Sequence, residues 1–168
     1  AVDVLLVVDD SATMAPHQER LGQRFGLFHS WLLSAQVDYR IGVMSTSMTP
    51  ARPVSEACES QALYHGGNMT TDWITRETSD SDQVFLSAVS VGTCGNPTEM
   101  PLLVSAHATE TLELRASADL SVVILTDEDD ASPDSVYHYL QRMQSLQLRR
   151  DYLRISAMTV VDPNLCPD

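Results

Sequence analysis

The sequence has 168 residues, a length typical of one domain that buries a substantial core. Its formal net charge is −13 and its 10 basic residues are all arginine, which argues against the basic surface that nucleic-acid binding requires. The absence of lysine argues against phosphate-loop and Schiff-base chemistry. No apolar stretch reaches the ~20 residues that a membrane-spanning helix needs. Together these features predict a single domain over residues 1–168.

The first half of the chain alternates strand and helix patterns. Residues 5–8 form a short continuous apolar run, which is typical of a strand buried on both faces of a parallel sheet. Residues 16–34 have apolar side chains at helical spacing, with a proline suited to the first turn. The alternating stretch at 38–47 predicts strand 2, a long loop follows over 48–69, and residues 70–77 predict a short strand 3 antiparallel to strand 2.

The second half repeats the alternation. Residues 82–92 predict a short helix that Gly92 ends, and another helix opens near Thr98. The apolar run 120–125 predicts strand 4, a helix follows Ser132 and its neighbouring proline, and residues 154–161 predict the last strand. This pattern predicts an α/β fold with an open, doubly wound, mostly parallel sheet of order 3-2-1-4-5 and helices on both faces.

Acids and hydroxyls follow two of the predicted strands. Asp9, Ser11 and Thr13 come directly after strand 1, and Asp127 comes after strand 4. In this strand order the two strands are neighbours, so their carboxyl ends place the four side chains at one edge of the sheet. Each residue alone could be a helix cap, but two carboxylates with several hydroxyls form a hard-oxygen site suited to Mg²⁺, or to Mn²⁺ or Ca²⁺.

Four segments, in this order, resemble von Willebrand factor type A (vWA) domains of a bacterial branch: "VDVLLVVDDSATM", "DYRIGV", "VGTCGNPTEMPLL" and "SVVILTDEDD". The resemblance covers nearly the whole chain and implies a metal-ion-dependent adhesion site. Its ligands would be Asp9, Ser11, Thr13, a threonine of the second loop, and Asp127. For that threonine we favour Thr98, which directly precedes its helix, over Thr93, which follows a glycine as the family's threonine often does.

The sequence departs from the family pattern in two further places. Thr13 stands where the family usually has serine, a mild change because threonine also offers a hydroxyl. The family usually continues with another strand and a terminal helix, which we expect this chain to lack. We therefore do not expect a switch that moves the last helix.

Two classes of function are compatible with such a site. The first is a non-enzymatic binding module, in which the metal captures an acidic side chain of another protein. The alternative is a Mg²⁺-dependent phosphotransferase of the haloacid dehalogenase type, which also has acids after strand 1. That enzyme needs a second acid at the position of Ser11 and a lysine, and the sequence has neither. The residues do not predict an oligomeric state.

The three cysteines, Cys58, Cys94 and Cys166, do not have metal-binding spacing. We expect a disulfide between Cys58 and Cys94, with three reduced thiols as the alternative. The disulfide predicts an extracytoplasmic protein that is secreted, periplasmic or on the cell surface. The acids at 128–130 are expected to form a solvated loop, with outer-sphere tuning of the metal as the alternative.

Overall fold

The computed structural model describes residues 1–48, 67–96, 98–145 and 153–159. Within these ranges five strands form one sheet of order β3-β2-β1-β4-β5. The strands are β1 Val2–Val8, β2 Tyr39–Ser45, β3 Ile74–Thr75, β4 Asp119–Thr126 and β5 Leu153–Thr159. All neighbours pair in parallel except β3, which is antiparallel to β2. The predicted order and strand directions are therefore confirmed.

Helices cover both faces of the sheet, as predicted. They are α1 Ala15–Ser34, α2 Ser81–Val89, α3 Pro101–Thr111 and α4 Val136–Ser145, with a 3-10 turn at Ala12–Met14 before α1. The first two pack together on one face and the last two on the other. In the described ranges, no helix has both the length and the apolar character needed to cross a bilayer.

Strand β1 lies at the centre of the sheet and feeds two separate cores. Val4 and Val8 belong to the core beneath α1 and α2, where Phe25 and Phe85 stack with ring centroids 3.8 Å apart. The intervening Leu5 belongs to the core beneath α3 and α4. Because successive side chains of a strand point to opposite faces, only an unbroken apolar run can fill both cores.

Strand β3 is much shorter than the predicted segment 70–77. Only Ile74 and Thr75 pair with β2. The chain turns immediately afterwards, since the amide of Thr78 donates to the carbonyl of Thr75 at 3.2 Å and the Thr78 hydroxyl accepts from the amide of Thr75 at 2.9 Å. The strand therefore ends at Thr75, directly before this turn.

Other boundaries also shift. The helix predicted over 82–92 ends at Val89, and the helix predicted from Thr98 begins at Pro101, where the missing amide hydrogen costs nothing. The residues between these two helices therefore form a longer loop than expected. Most of the predicted loop 48–69 lies outside the described residues, and so does Cys58.

Candidate metal centre

The carboxyl ends of β1 and β4 lie side by side. The two strands are in parallel register, with Val8 opposite Leu125, and the amide of Asp9 donates to the carbonyl of Leu125 at 2.9 Å. Asp9 and Asp127 thus follow neighbouring strands at one edge of the sheet, as the sequence predicted. The end of β2 joins them, because the amide of Thr46 donates to the carbonyl of Val8 at 3.1 Å.

Asp9 is completely buried and held at both carboxylate oxygens. Its Oδ1 accepts from the amide of Ser11 at 2.7 Å, and its Oδ2 accepts from the Thr126 hydroxyl at 2.6 Å. The Ser11 and Thr13 hydroxyl oxygens lie 3.2 Å apart, with Ser11 buried and Thr13 exposed. The first motif therefore forms a compact turn that presents several oxygens around Asp9.

Gln18 of α1 connects this turn to the loop between α2 and α3. Its buried side-chain amide donates to the carbonyl of Asp9 at 2.9 Å and to the carbonyl of Gly92 at 2.7 Å. One side chain thus satisfies two backbone carbonyls that come from different parts of the chain. The arrangement fixes the first motif relative to the loop that carries Thr93 and Thr98.

Asp10 is also buried and contacts the same loop. Its Oδ1 accepts from the Ser47 hydroxyl at 2.9 Å, and its backbone carbonyl accepts from the amide of Gly95 at 2.8 Å. The Ser47 oxygen in turn accepts from the amide of Asn96 at 3.0 Å. A Cβ atom at Gly95 would lie 1.9 Å from the Asp10 carboxylate, so this close approach requires glycine.

Glu99 places a third carboxylate in the same region. It is 1% exposed, its Oε2 accepts a hydrogen bond from the Thr46 hydroxyl, and its Oε1 is buried without a hydrogen-bond partner. One carboxylate oxygen from each of Asp9, Asp10 and Glu99 lies within 4.8 Å of the other two. This buried group could hold a metal ion.

Two of the buried acids, Glu99 and Asp10, have raised pKa values. Burial raises the pKa of Glu99 to about 8, against the hydrogen bond from Thr46, and the charges of Asp9, Asp10 and Glu128 raise it further. Burial also raises the pKa of Asp10. Several like charges held in a low-dielectric environment disfavour ionisation.

No basic side chain compensates these charges in the part of the chain that the structure describes. The ion pairs found there involve other acids, namely Asp3, Asp38, Asp82, Glu110 and Asp134. Buried carboxylates without a basic partner are costly unless they are protonated or bind a cation. A divalent cation therefore fits both the charge and the oxygen donors of this cluster.

The ligands predicted from the sequence differ in how deeply they are buried. Asp127 is half-buried, and its Oδ1 is a buried atom without a hydrogen-bond partner. Thr98 is exposed and its amide donates to the Asn96 side chain at 3.0 Å, whereas Thr93 is half-buried. The fold thus brings Asp9, Ser11, Thr13 and Asp127 to one edge of the sheet, whereas Thr98 is exposed to solvent.

The acidic loop after β4 is exposed at 128–130, and it also supports the centre. The Asp130 carboxylate accepts from the amide of Leu102 at 3.2 Å, and the Ser132 hydroxyl oxygen accepts from the amide of Leu103 at 3.0 Å. Both bonds satisfy free amides in the first turn of α3. The loop therefore anchors the helix that follows Glu99.

Sequence reasoning missed four polar residues of the cluster: Asp10, Thr46, Ser47 and Glu99. Alternation along the first strand suggests that Asp10 points away from Asp9, and no spacing rule connects the other three. The burial of the unpartnered Glu99 oxygen can be seen only in the folded structure.

Cys94 lies in the same loop and is disulfide-bonded. Cys58 and Cys166, its possible partners, lie outside the described residues, so the pairing with Cys58 stays a prediction. A covalent tie at Cys94 would restrain the loop between Gly92 and Glu99.

No protein-family model and no curated protein matches the chain. Among solved structures, the chain is similar to the pilus adhesin SpaC from Lactobacillus rhamnosus GG in its open conformation, with a TM-score of 0.54 and 16% identity over 77% of this chain. A second crystal structure of SpaC gives a TM-score of 0.52 and 14% identity over 77% of the chain. A von Willebrand factor type A protein from Catenulispora acidiphila gives 0.46 and 18% identity, covering 94% of this chain and 32% of that one.

This chain spans only 15% and 16% of the two SpaC chains. At such identities the likeness to SpaC establishes a shared fold.

Proposed function

We propose that this domain is a metal-dependent protein-binding module, in which a divalent cation at the carboxyl edge of the sheet binds an acidic side chain of a partner protein. The observation that carries the proposal is the cluster of Asp9, Asp10 and Glu99, whose buried carboxylates have no basic partner among the described residues. A cation would compensate these charges and explain why the fold gathers them.

The proposed ligands are those of the sequence motif: Asp9, Ser11, Thr13, Asp127 and a residue of the second loop, for which the sequence favours Thr98. The unpartnered Oδ1 of Asp127 and the paired hydroxyls of Ser11 and Thr13 support this set. Mg²⁺ suits such hard oxygen donors, and Mn²⁺ or Ca²⁺ would also fit. When bound, the cation would offer a coordination position to a partner's carboxylate oxygen.

We further propose that the domain acts outside the cytoplasm, as a secreted, periplasmic or surface protein of a bacterium, with a role in adhesion. The disulfide at Cys94 supports an oxidising compartment. The fold shared with the pilus adhesin SpaC is compatible with this location.

A catalytic role is not part of the proposal. A phosphotransferase of the haloacid dehalogenase type would need an acid where Ser11 stands and a lysine to stabilise the transferred group. The metal in our proposal binds and orients a partner and does not take part in a reaction.

The test is an immobilised array of peptides that contain aspartate, with matched peptides that contain asparagine instead. We expect the domain to bind a subset of the aspartate peptides in Mg²⁺ or Mn²⁺ and to lose this binding in EDTA. Asp127→Asn should also abolish it. Asp129→Asn is the matched control, because it removes the same charge from an exposed position two residues along the same loop.

Binding that persists at full strength in EDTA would contradict the proposal, as would equal loss in the two variants. A parallel assay would use p-nitrophenyl phosphate in Mg²⁺. Steady phosphate release that disappears in Asp9→Ala would place the protein among enzymes instead.

A further inference from the structure

The loop between α2 and α3 turns Glu99 inward and Thr98 outward. Glu99 is 1% exposed, whereas its neighbour Thr98 is exposed to solvent. Backbone hydrogen bonds hold this orientation on both sides of Glu99: the amide of Met100 donates to the carbonyl of Thr46 at 3.3 Å, and the carbonyl of Glu99 accepts from the amide of Ala131 at 2.8 Å.

The two carboxylate oxygens of Glu99 differ in their surroundings. Oε2 accepts from the Thr46 hydroxyl, and Oε1 is buried without any partner. A carboxylate oxygen of Glu99 lies within 4.8 Å of ligand atoms of both Asp9 and Asp10. A buried carboxylate oxygen that lacks a partner has a high energetic cost, and a cation among the three side chains would remove it.

We propose that Glu99, and not a threonine, is the ligand that the second loop contributes to the divalent cation. The inference rests on the proposed function, because it assumes the same cation site. It differs in one ligand, since Glu99 takes the place of Thr98. With Asp9 and Asp127 as the other carboxylate ligands and Asp10 beside Asp9 and Glu99, the negative charges around the cation would exceed its two positive charges. A partner carboxylate would therefore bind by filling a coordination position, with little net electrostatic attraction.

A purely structural role for Glu99 makes a different prediction. If Glu99 only tied the loop to Thr46 by a hydrogen bond, glutamine could replace it, because its side-chain carbonyl accepts the same bond in nearly the same volume. If Glu99 is a ligand, the cation should bind more weakly to the glutamine variant, because cation affinity depends on the number of charged ligands.

The experiment is a titration of the full chain with Mn²⁺ followed by electron paramagnetic resonance, repeated with Ca²⁺ by calorimetry. We expect Glu99→Gln to weaken cation binding about tenfold or more. Thr98→Val, at the adjacent position, should stay within about twofold of the wild type. Thermal unfolding in EDTA provides a control for folding. If Glu99→Gln does not fold, Glu99→Asp is measured instead: it keeps the charge but withdraws the carboxylate by one methylene, so we expect weaker cation binding than in the wild type, and unchanged affinity would overturn the inference.

Three other results would overturn the inference. The first is equal affinity of Glu99→Gln and the wild type. The second is a loss of affinity in Thr98→Val while Glu99→Gln still binds. The third is a wild type that binds neither cation, in which case the proposed function fails with it. In the first two cases the wild type binds and only the assignment of the loop ligand is wrong.

Discussion

Replacing Asp3 with asparagine should weaken the sheet at the end opposite to the candidate metal centre. Asp3 is completely buried near the start of β1. It accepts from Arg40 Nε at 2.8 Å and Nη2 at 3.0 Å, and from the amide and Nε of Arg115 at 2.7 and 2.8 Å. Burial alone would raise the pKa of Asp3, but these hydrogen bonds outweigh it and lower the pKa.

The expected cost follows from this geometry. Removing one partner of a buried ion pair costs about 3–5 kcal/mol. The side chains of Arg40 and Arg115 are 15% and 26% exposed and keep some solvation, so we expect about 2–3 kcal/mol for Asp3→Asn. Urea unfolding at pH 7, followed by circular dichroism, measures this difference in the free energy of unfolding. Cation affinity should be unchanged.

The same variant predicts a pH dependence. Because the pKa of folded Asp3 lies below its ordinary value of 3.8, the stabilisation is complete above about pH 4 and disappears as the pH falls through the lower folded value. The stability difference between wild type and Asp3→Asn should therefore shrink in acid. Equal unfolding free energies at pH 7, or a difference that stays constant down to pH 2, would refute the reasoning.

Two further predictions concern the loop at the centre. Gly95→Ala should lower the free energy of unfolding by about 1–3 kcal/mol and weaken cation binding, because its Cβ would displace the Asp10 carboxylate. Gly26→Ala inside α1 is the control and should not lower the free energy of unfolding, because its nearest atom lies at 3.2 Å on the side chain of Asp82 and alanine favours the helix; equal urea midpoints of the two variants would contradict this. Peptide mapping without reduction should recover Cys58 joined to Cys94, and a free Cys58 in freshly purified, oxidised protein would contradict the pairing.

The sheet could be predicted because its signals are local. The continuous apolar run before Asp9 indicates a strand that is buried on both faces of the sheet. The helical spacing in the next segment indicates a crossover helix, after which the next strand lies parallel to the first. The shortness of β3 could not be predicted, because residues 70–77 resemble a short strand in composition but Thr75 and Thr78 form a turn instead. Whether residues after Thr75 continue the strand or form a turn depends on whether β2 offers backbone groups for them to pair with.

The candidate site was predictable only at the strand ends. Asp9 and Asp127 follow strands whose order the topology determines, so their common edge could be inferred from the sequence. Glu99 lies in an irregular loop with no periodicity, and its burial depends on backbone contacts with Thr46 and Ala131 that are far apart in the sequence. Such contacts have no local signature.

The central claim is that the carboxylates at this edge of the sheet hold a divalent cation. The most direct measurement is a calorimetric titration of the domain with Mn²⁺ and Mg²⁺, comparing wild type with Asp9→Asn. Asp119→Asn is the matched control, because Asp119 is an exposed acid at the opposite end of β4. We predict one cation per chain in the wild type and in Asp119→Asn, and no binding in Asp9→Asn. A wild-type titration without binding, or one that Asp9→Asn reproduces, would contradict the claim.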